Sequence, residues 1–262
     1  MKVPKFLSGP AKTGWEQLIL SILGITISIA LTFGLNALSG KRSQKADRRL
    51  AAVRVMASIE AFARQLDAVH DMMLPADTAA AYLLDHWGYL DALSGQELID
   101  LHVASVPGAM ITYDKSAEQI FSSSFDVWRN VDNAKFMDSA GQCFHMMEMI
   151  TEEHNSWIDG YIQFSDNYVA THRQQFDTDL QAFALGLFGT WQARQFLGDV
   201  HPRMDRLQYV SALLRWSNAQ SMKLMKIKEK DVMKEVADSE AIPTGEPMPQ
   251  QEEFETPRPS MQ

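Results

Sequence analysis

LILSILGITISIALTFGLNAL, residues 18–38, is the stretch on which the architecture turns. It holds six Leu, five Ile and one Phe, and no ionisable side chain occurs between Glu16 and Lys41. A helix rising about 1.5 Å per residue carries such a stretch across roughly 31 Å, which matches a hydrocarbon core of about 30 Å. Each large apolar side chain favours insertion by roughly 0.3–0.6 kcal/mol, on the order of 5 kcal/mol for the whole stretch. A helix of this length buried in a soluble core would carry a charged, polar stripe, and this one carries none. The competing reading is a cleaved signal peptide, with Lys2, Lys5 and Lys12 as its basic start and Ala37-Leu38-Ser39 as a small-x-small site. Signal cores run to about 7–15 residues, so the length favours a retained anchor. The sequence therefore predicts a single-pass protein of the plasma (inner) membrane, with a 1–14 tail and a 15–39 span.

The flanks fit that assignment. Trp15 stands at one rim, where an indole suits the headgroup layer. Lys41, Arg42, Lys45, Arg48 and Arg49 stand at the other, where their charges can meet anionic lipid headgroups. The positive-inside rule leans slightly toward a cytoplasmic body, whereas a signal-anchor reading places the body outside, and the side stays open. Gly24, Ser28, Thr32 and Asn36 recur every fourth residue and so share one face. Small and hydroxyl side chains there let two membrane helices approach and hydrogen-bond, which makes this face a candidate for self-association.

Beyond the collar the chain reads as helix throughout. Ala52, Val55, Ile59, Phe62, Leu66, Val69 and Met73 follow a 3-4 spacing, a seam that faces either a second copy or the protein's own core. Pro75-Ala76-Asp77 predicts a turn, with Asp77 capping a helix through Leu83, Trp87 and Leu90. Ser94 with Glu97 has the form of a capping box, and Pro107-Gly108 ends the short helix that follows. A helix over about 112–123 comes next, then a polar break at Asn130–Asn133. Residues 134–172 lack proline and place Phe136, Ala140, Phe144, Met147, Ile150, Trp157, Tyr161, Phe164 and Tyr168 on one face. Asp177-Thr178 predicts the cap of a helix through Phe196 that ends at Gly198-Asp199. Pro202 suits the first turn of a last helix reaching Val236. No segment alternates in the manner of a strand. The expected fold is all-α: a transmembrane helix, a bundle over 40–236 and a disordered, acidic, Pro-rich tail over 237–262. That tail cannot bury enough apolar area to offset the entropy of ordering it.

By these residues the chain resembles a family of uncharacterised bacterial single-pass membrane proteins. The likeness lies in Glu16, the aliphatic run Ile19 to Leu35, Asn36, the basic run Lys41 to Arg49, and Thr112-Tyr113-Asp114. It covers about the first 70 residues and a patch over roughly 111–150. Trp15 departs from the Gly that often precedes the Glu, and no Trp follows Asn36. The resemblance implies an architecture, with a body outside the cytoplasm, and no activity.

Charge and motif content narrow the function classes. From Ala51 onward 16 basic residues stand against 31 acidic ones, which argues against nucleic acid as a partner, since phosphate binding needs concentrated positive charge. One Cys, Cys143, excludes an internal disulfide. Phosphate loops, nucleophile elbows and HExxH pairs are missing. His145, Glu148 and Glu152, spaced three and four apart, share a helix face and form the sharpest candidate metal set, with Glu153 and His154 beside it; a solvated acidic face explains the same residues. Asp67 with His70 offers half of a di-metal bundle pattern. Trp128, Trp157, Trp191 and Trp216 sit at core spacing and predict packing. No catalytic residue and no cofactor is expected. The leading expectation is a non-enzymatic, membrane-anchored helical module that binds the bilayer and either an unidentified protein or a second copy. A ligand-sensing bundle and a metal-dependent enzyme are the alternatives.

Overall fold

The computed structural model describes residues 41–123, Trp128 and 134–240, and every regular element among them is helical. The elements are α1 (Lys41–Asp85), a 3-10 segment (Trp87–Ala92), α2 (Gly95–Ser105), α3 (Ser116–Ser123) and α4 (Ala134–Thr171). They continue with α5 (Arg173–Thr178), α6 (Leu180–Phe188), α7 (Trp191–Met225) and α8 (Glu229–Glu240). The 1–14 tail, the 15–39 span with its Gly24, Ser28, Thr32 and Asn36 face, the break at 130–133 and residues 241–262 lie outside the described residues. Among the described residues no helix is long and apolar enough to cross a membrane.

Helix α1 is the axle of the bundle. All seven seam residues from Ala52 to Met73 are buried within the chain, so the seam faces its own core. Ala51, Val53 and Ala57 are buried as well, which leaves the first half of α1 covered on most sides. Helix α7 runs antiparallel beside it: Asn218 Nδ2 donates to the Met56 carbonyl at 2.9 Å, Arg215 bonds Asp67, and His201 meets Asp77. Helix α8 lies along the N-terminal half, tied by Arg49 to Asp231 at 2.8 Å and Arg54 to Glu235 at 3.0 Å. Fully burying a Leu, Ile or Met contributes roughly 1.5–3 kcal/mol, so Ile59, Leu66, Met73 and Leu83 alone anchor this axle firmly.

Several expected boundaries move. Pro75 makes no turn; it lies inside α1, and Asp77 pairs with His201 instead of capping a helix. Proline deprives the carbonyl four residues earlier of its partner, but Pro75 and Asp71 are both exposed, so water can serve that carbonyl. The buried register continues through Ala76, Ala80 and Leu83, and that packing carries the helix across. The same holds at Pro202 and Gly198, both exposed inside α7, so Gly198-Asp199 ends nothing and Pro202 begins nothing. The helix expected through Phe196 is two. Asp179, rather than Asp177-Thr178, caps α6 by accepting from Ala182, and α6 stops at Phe188. Thr190 then caps α7, accepting from the Ala193 N–H at 3.2 Å while donating to the Leu187 carbonyl at 2.6 Å. The last helix is also split. Lys226 takes a left-handed conformation (φ 52°) and Ile227 N–H reaches back to the Met222 carbonyl at 3.0 Å, a Schellman closure. Helix α8 then runs to Glu240, so the bundle extends past the expected edge at 236.

Other features stand as read. Ser94 and Glu97 form the reciprocal capping box. Helix α4 occupies Ala134–Thr171, with Phe136, Ala140, Phe144, Met147, Ile150 and Tyr161 buried and Trp157, Phe164 and Tyr168 partly so. Gly95 is needed for a reason beyond capping: a Cβ there would meet the Gln181 backbone nitrogen at 2.5 Å, so α2 can approach α6 only without a side chain.

Candidate functional site

The segment between α2 and α3 has no helical or sheet partner for its backbone, and its polar groups must be satisfied some other way. Extended residues present their N–H and C=O groups to opposite sides in turn. Two amides use this. On one side Asn155 of α4 accepts the Ile111 N–H at 2.9 Å and donates to the Ile111 carbonyl at 2.7 Å. On the other, Gln65 of α1 faces Thr112, and with its amide turned so that donors meet acceptors it takes Thr112 in the same way, nitrogen 2.8 Å from the carbonyl and oxygen 2.9 Å from the N–H. His154 Nε2 adds a third tie, 3.0 Å from the Ala109 carbonyl. The strap is therefore held between two helices by side chains imitating a neighbouring strand.

Its end is electrostatically closed. The Tyr113 hydroxyl donates to Glu118 at 2.7 Å while the ring stands edge-on to Phe62; burial, then the Glu118 carboxylate, pushes the phenol far above its usual range. Asp114 accepts from both the Ser116 N–H (2.8 Å) and the Ser116 hydroxyl (2.5 Å), which starts α3 at Ser116 and not at 112. Lys115 pairs with Glu148, and this bond holds the Glu148 carboxyl below the usual range.

That pairing bears on the metal set. His145 and Glu152 are exposed on α4, and Glu148, the residue between them, is turned to Lys115. Among the described residues no group of three or more His, Cys, Asp or Glu side chains is arranged to hold a metal ion. Asp67 and His70 do not converge either. Asp67 accepts from Arg215 at 2.5 Å and from the Ser211 hydroxyl at 2.6 Å, whereas His70 meets Asp71. Burial works to raise the Asp67 pKa, but the bonds from Arg215 and Ser211 outweigh it and hold the carboxyl low. Arg215 also reaches Glu60 at 3.4 Å, so α1 and α7 are riveted by a charged network at the edge of their apolar seam.

Two histidines are withdrawn from solvent: His154, which the sequence set beside Glu153 at the edge of the candidate metal set, is buried, and His102, which the sequence did not single out, is half-buried. His154 and His102 are both pushed down, first by loss of solvent; His102 Nδ1 lies 3.2 Å from the Tyr161 hydroxyl. Arg203 covers the Trp157 ring at 4.7 Å and pairs with Glu153. Cys143 is buried and its thiol is raised by burial, the opposite of what a thiolate nucleophile needs. Of the basic collar, Arg49 is engaged with Asp231, the 41–49 backbone is helical, and the side chains of Lys41, Arg42 and Lys45 lie outside the described residues.

One expectation reverses. Trp128 is buried and Trp157 half-buried, but Trp191 and Trp216 are 70% and 63% exposed, and Tyr209 is 68% exposed. The buried stripe of α7 runs through Ala193, Leu197, Val200, Met204, Leu207, Ser211, Leu214 and Asn218. The three aromatics occupy the side turned away from it. No family model, curated protein or solved structure matches this chain.

The polar side chains inside the bundle hold backbone and rivet helices. Among the described residues, the aromatic side of α7 is an exposed apolar face that carries three large rings on one helix.

Proposed function

We propose that this protein is a membrane-anchored, non-enzymatic helical module that binds another protein or its own copy. In this reading residues 18–38 hold the chain in the plasma (inner) membrane, as in the bacterial single-pass proteins that the sequence resembles. The collar Lys41, Arg42, Lys45, Arg48 and Arg49 meets lipid headgroups, and the bundle presents a contact surface. The observation that carries the binding role is the exposure of Trp191, Tyr209 and Trp216 along one helix. Large aromatic groups are enriched at protein interfaces, where one buried aromatic can dominate affinity. The acidic balance of the body argues against a nucleic-acid partner.

In-cell cross-linking of the full chain, followed by detergent solubilisation and pull-down, tests this. A discrete cross-linked species, either a homodimer or a complex with one enriched protein, is expected. A chain that stays monomeric with nothing enriched over an unrelated single-pass control overturns the reading.

A further inference from the structure

Arg49 of the collar bonds Asp231 across 182 positions of sequence, and that contact brings two basic segments to one end of the bundle. Helix α7 runs toward this end, Asn218 reaching the Met56 carbonyl, and the chain turns at Lys226 into α8. The turn carries Lys223, Lys226, Lys228 and Lys230 against one acid, Glu229, and all five are exposed. Helix α4 begins at the same end, since Ser139 meets Ser217 at 2.9 Å and Ser221 at 3.1 Å. Its first turns add exposed Lys135 and exposed Asp138.

The rest of the body has the opposite sign. Without the turn, 12 basic residues stand against 30 acidic ones from Ala51 onward. Residues 65–114, in the half of the bundle away from Lys41, hold eight Asp and Glu and no Lys or Arg. Helix electrostatics accounts for only part of the basic turn. Lys223 and Lys226 close the C-terminal end of α7, where cations are favoured, whereas Lys228 and Lys230 flank the start of α8, where they are disfavoured.

Resting on the membrane-anchored reading, we infer that the α7–α8 turn is a second membrane contact, at which Lys223, Lys226, Lys228 and Lys230 bind the anionic headgroups of the bilayer that holds the anchor. Continuity with the collar decides the occupant, because the collar follows directly on the span and its last residue, Arg49, touches α8. Position 39, where the span ends, and Arg49 are separated by about 15 Å at helical rise. The interfacial layer takes about 5–7 Å of that distance, and the remainder is close to the Debye length of about 8 Å at physiological salt. Exposed lysine stems reach into this gap. An anionic leaflet attracts basic groups at such range, and it repels the acidic half of the bundle. Both effects stand the bundle end-on to the membrane with the turn toward the lipid.

The test is amide hydrogen exchange of the full chain in lipid nanodiscs, read by mass spectrometry over residues 222–231. Discs of phosphatidylcholine alone are compared with discs of phosphatidylcholine and phosphatidylglycerol in equal parts. The expected result is exchange at least about threefold slower in the anionic discs, lost in about 1 M salt, where the Debye length falls to about 3 Å. A triple variant, Lys223→Gln with Lys228→Gln and Lys230→Gln, loses the protection while its exchange at Leu66 and its thermal midpoint by circular dichroism match wild type. Lys226 is kept because its backbone is left-handed. Equal exchange in the two kinds of disc overturns the inference and leaves the anchored module standing, as does protection that the triple variant retains. Protection by a single-stranded oligonucleotide, with none from phosphatidylglycerol, reassigns the lysines to nucleic acid and also overturns it. A chain that fails to co-purify with discs of either kind removes the anchored reading, and the inference with it.

Discussion

Asn155 shows how much a single side chain can hold. It satisfies both backbone groups of Ile111, which have no other partner of regular structure. Truncation leaves two such groups unpaired, each costing roughly 1–3 kcal/mol when buried. Asn155→Ala is expected to destabilise the chain by about 1–3 kcal/mol in urea unfolding, and to speed amide exchange at Ile111 well beyond that at Leu66. Uniform acceleration at both amides would mean that the strap has no local role. Lys226 gives the opposite sign. A left-handed non-glycine residue carries a steric cost that glycine avoids, so Lys226→Gly is expected to stabilise by about 0.5–1 kcal/mol in the same assay. None of this was legible in the sequence except the cap at Ser94, whose partner Glu97 is three residues away. The amide clamps join residues 44 and 47 positions apart, and no local spacing announces them.

At the scale of the element, periodicity outperformed punctuation. The Ala52–Met73 seam and the long α4 face were readable because burial on one side imposes a repeat that persists over many residues. Pro75, Gly198 and Pro202 misled because a breaker residue states a local cost without stating what opposes it. On exposed faces of helices gripped by a continuous apolar stripe, that cost is met by packing. Pro75→Ala therefore restores a hydrogen bond to an intact helix, and a gain of about 1–3 kcal/mol is expected from chemical denaturation. A loss would show that proline's restricted geometry at position 75 is needed for α1 to follow α7. The aromatics of α7 were misassigned for a related reason. Tryptophan at helical spacing says that a face is apolar, and only the position of the other helices says whether that face is covered.

Across the whole molecule, the titrating groups give the fold a pH dependence of definite sign. His102 and His154 are lowered in the folded state, so the unfolded chain binds more protons as acid is added. Their contribution is complete above the unfolded histidine value of about 6.5 and is lost as pH falls below it. His201, raised first by its bond to Asp77, works the other way, but it is exposed and solvent screens it. Asp67 adds its loss only below about pH 4. Unfolding free energy is therefore expected to fall between pH 7 and 5.5. His154→Gln, which keeps a donor toward Ala109, should flatten that slope, and an unchanged slope would assign it elsewhere.

The role assigned to the molecule depends on residues 18–38 remaining in lipid. Alkaline carbonate extraction of membranes, with intact-mass measurement of the recovered chain, tests this directly. The full-mass chain is expected in the pellet, released only by detergent. Recovery in the alkaline supernatant, or a chain beginning at Gly40, would contradict an anchored module.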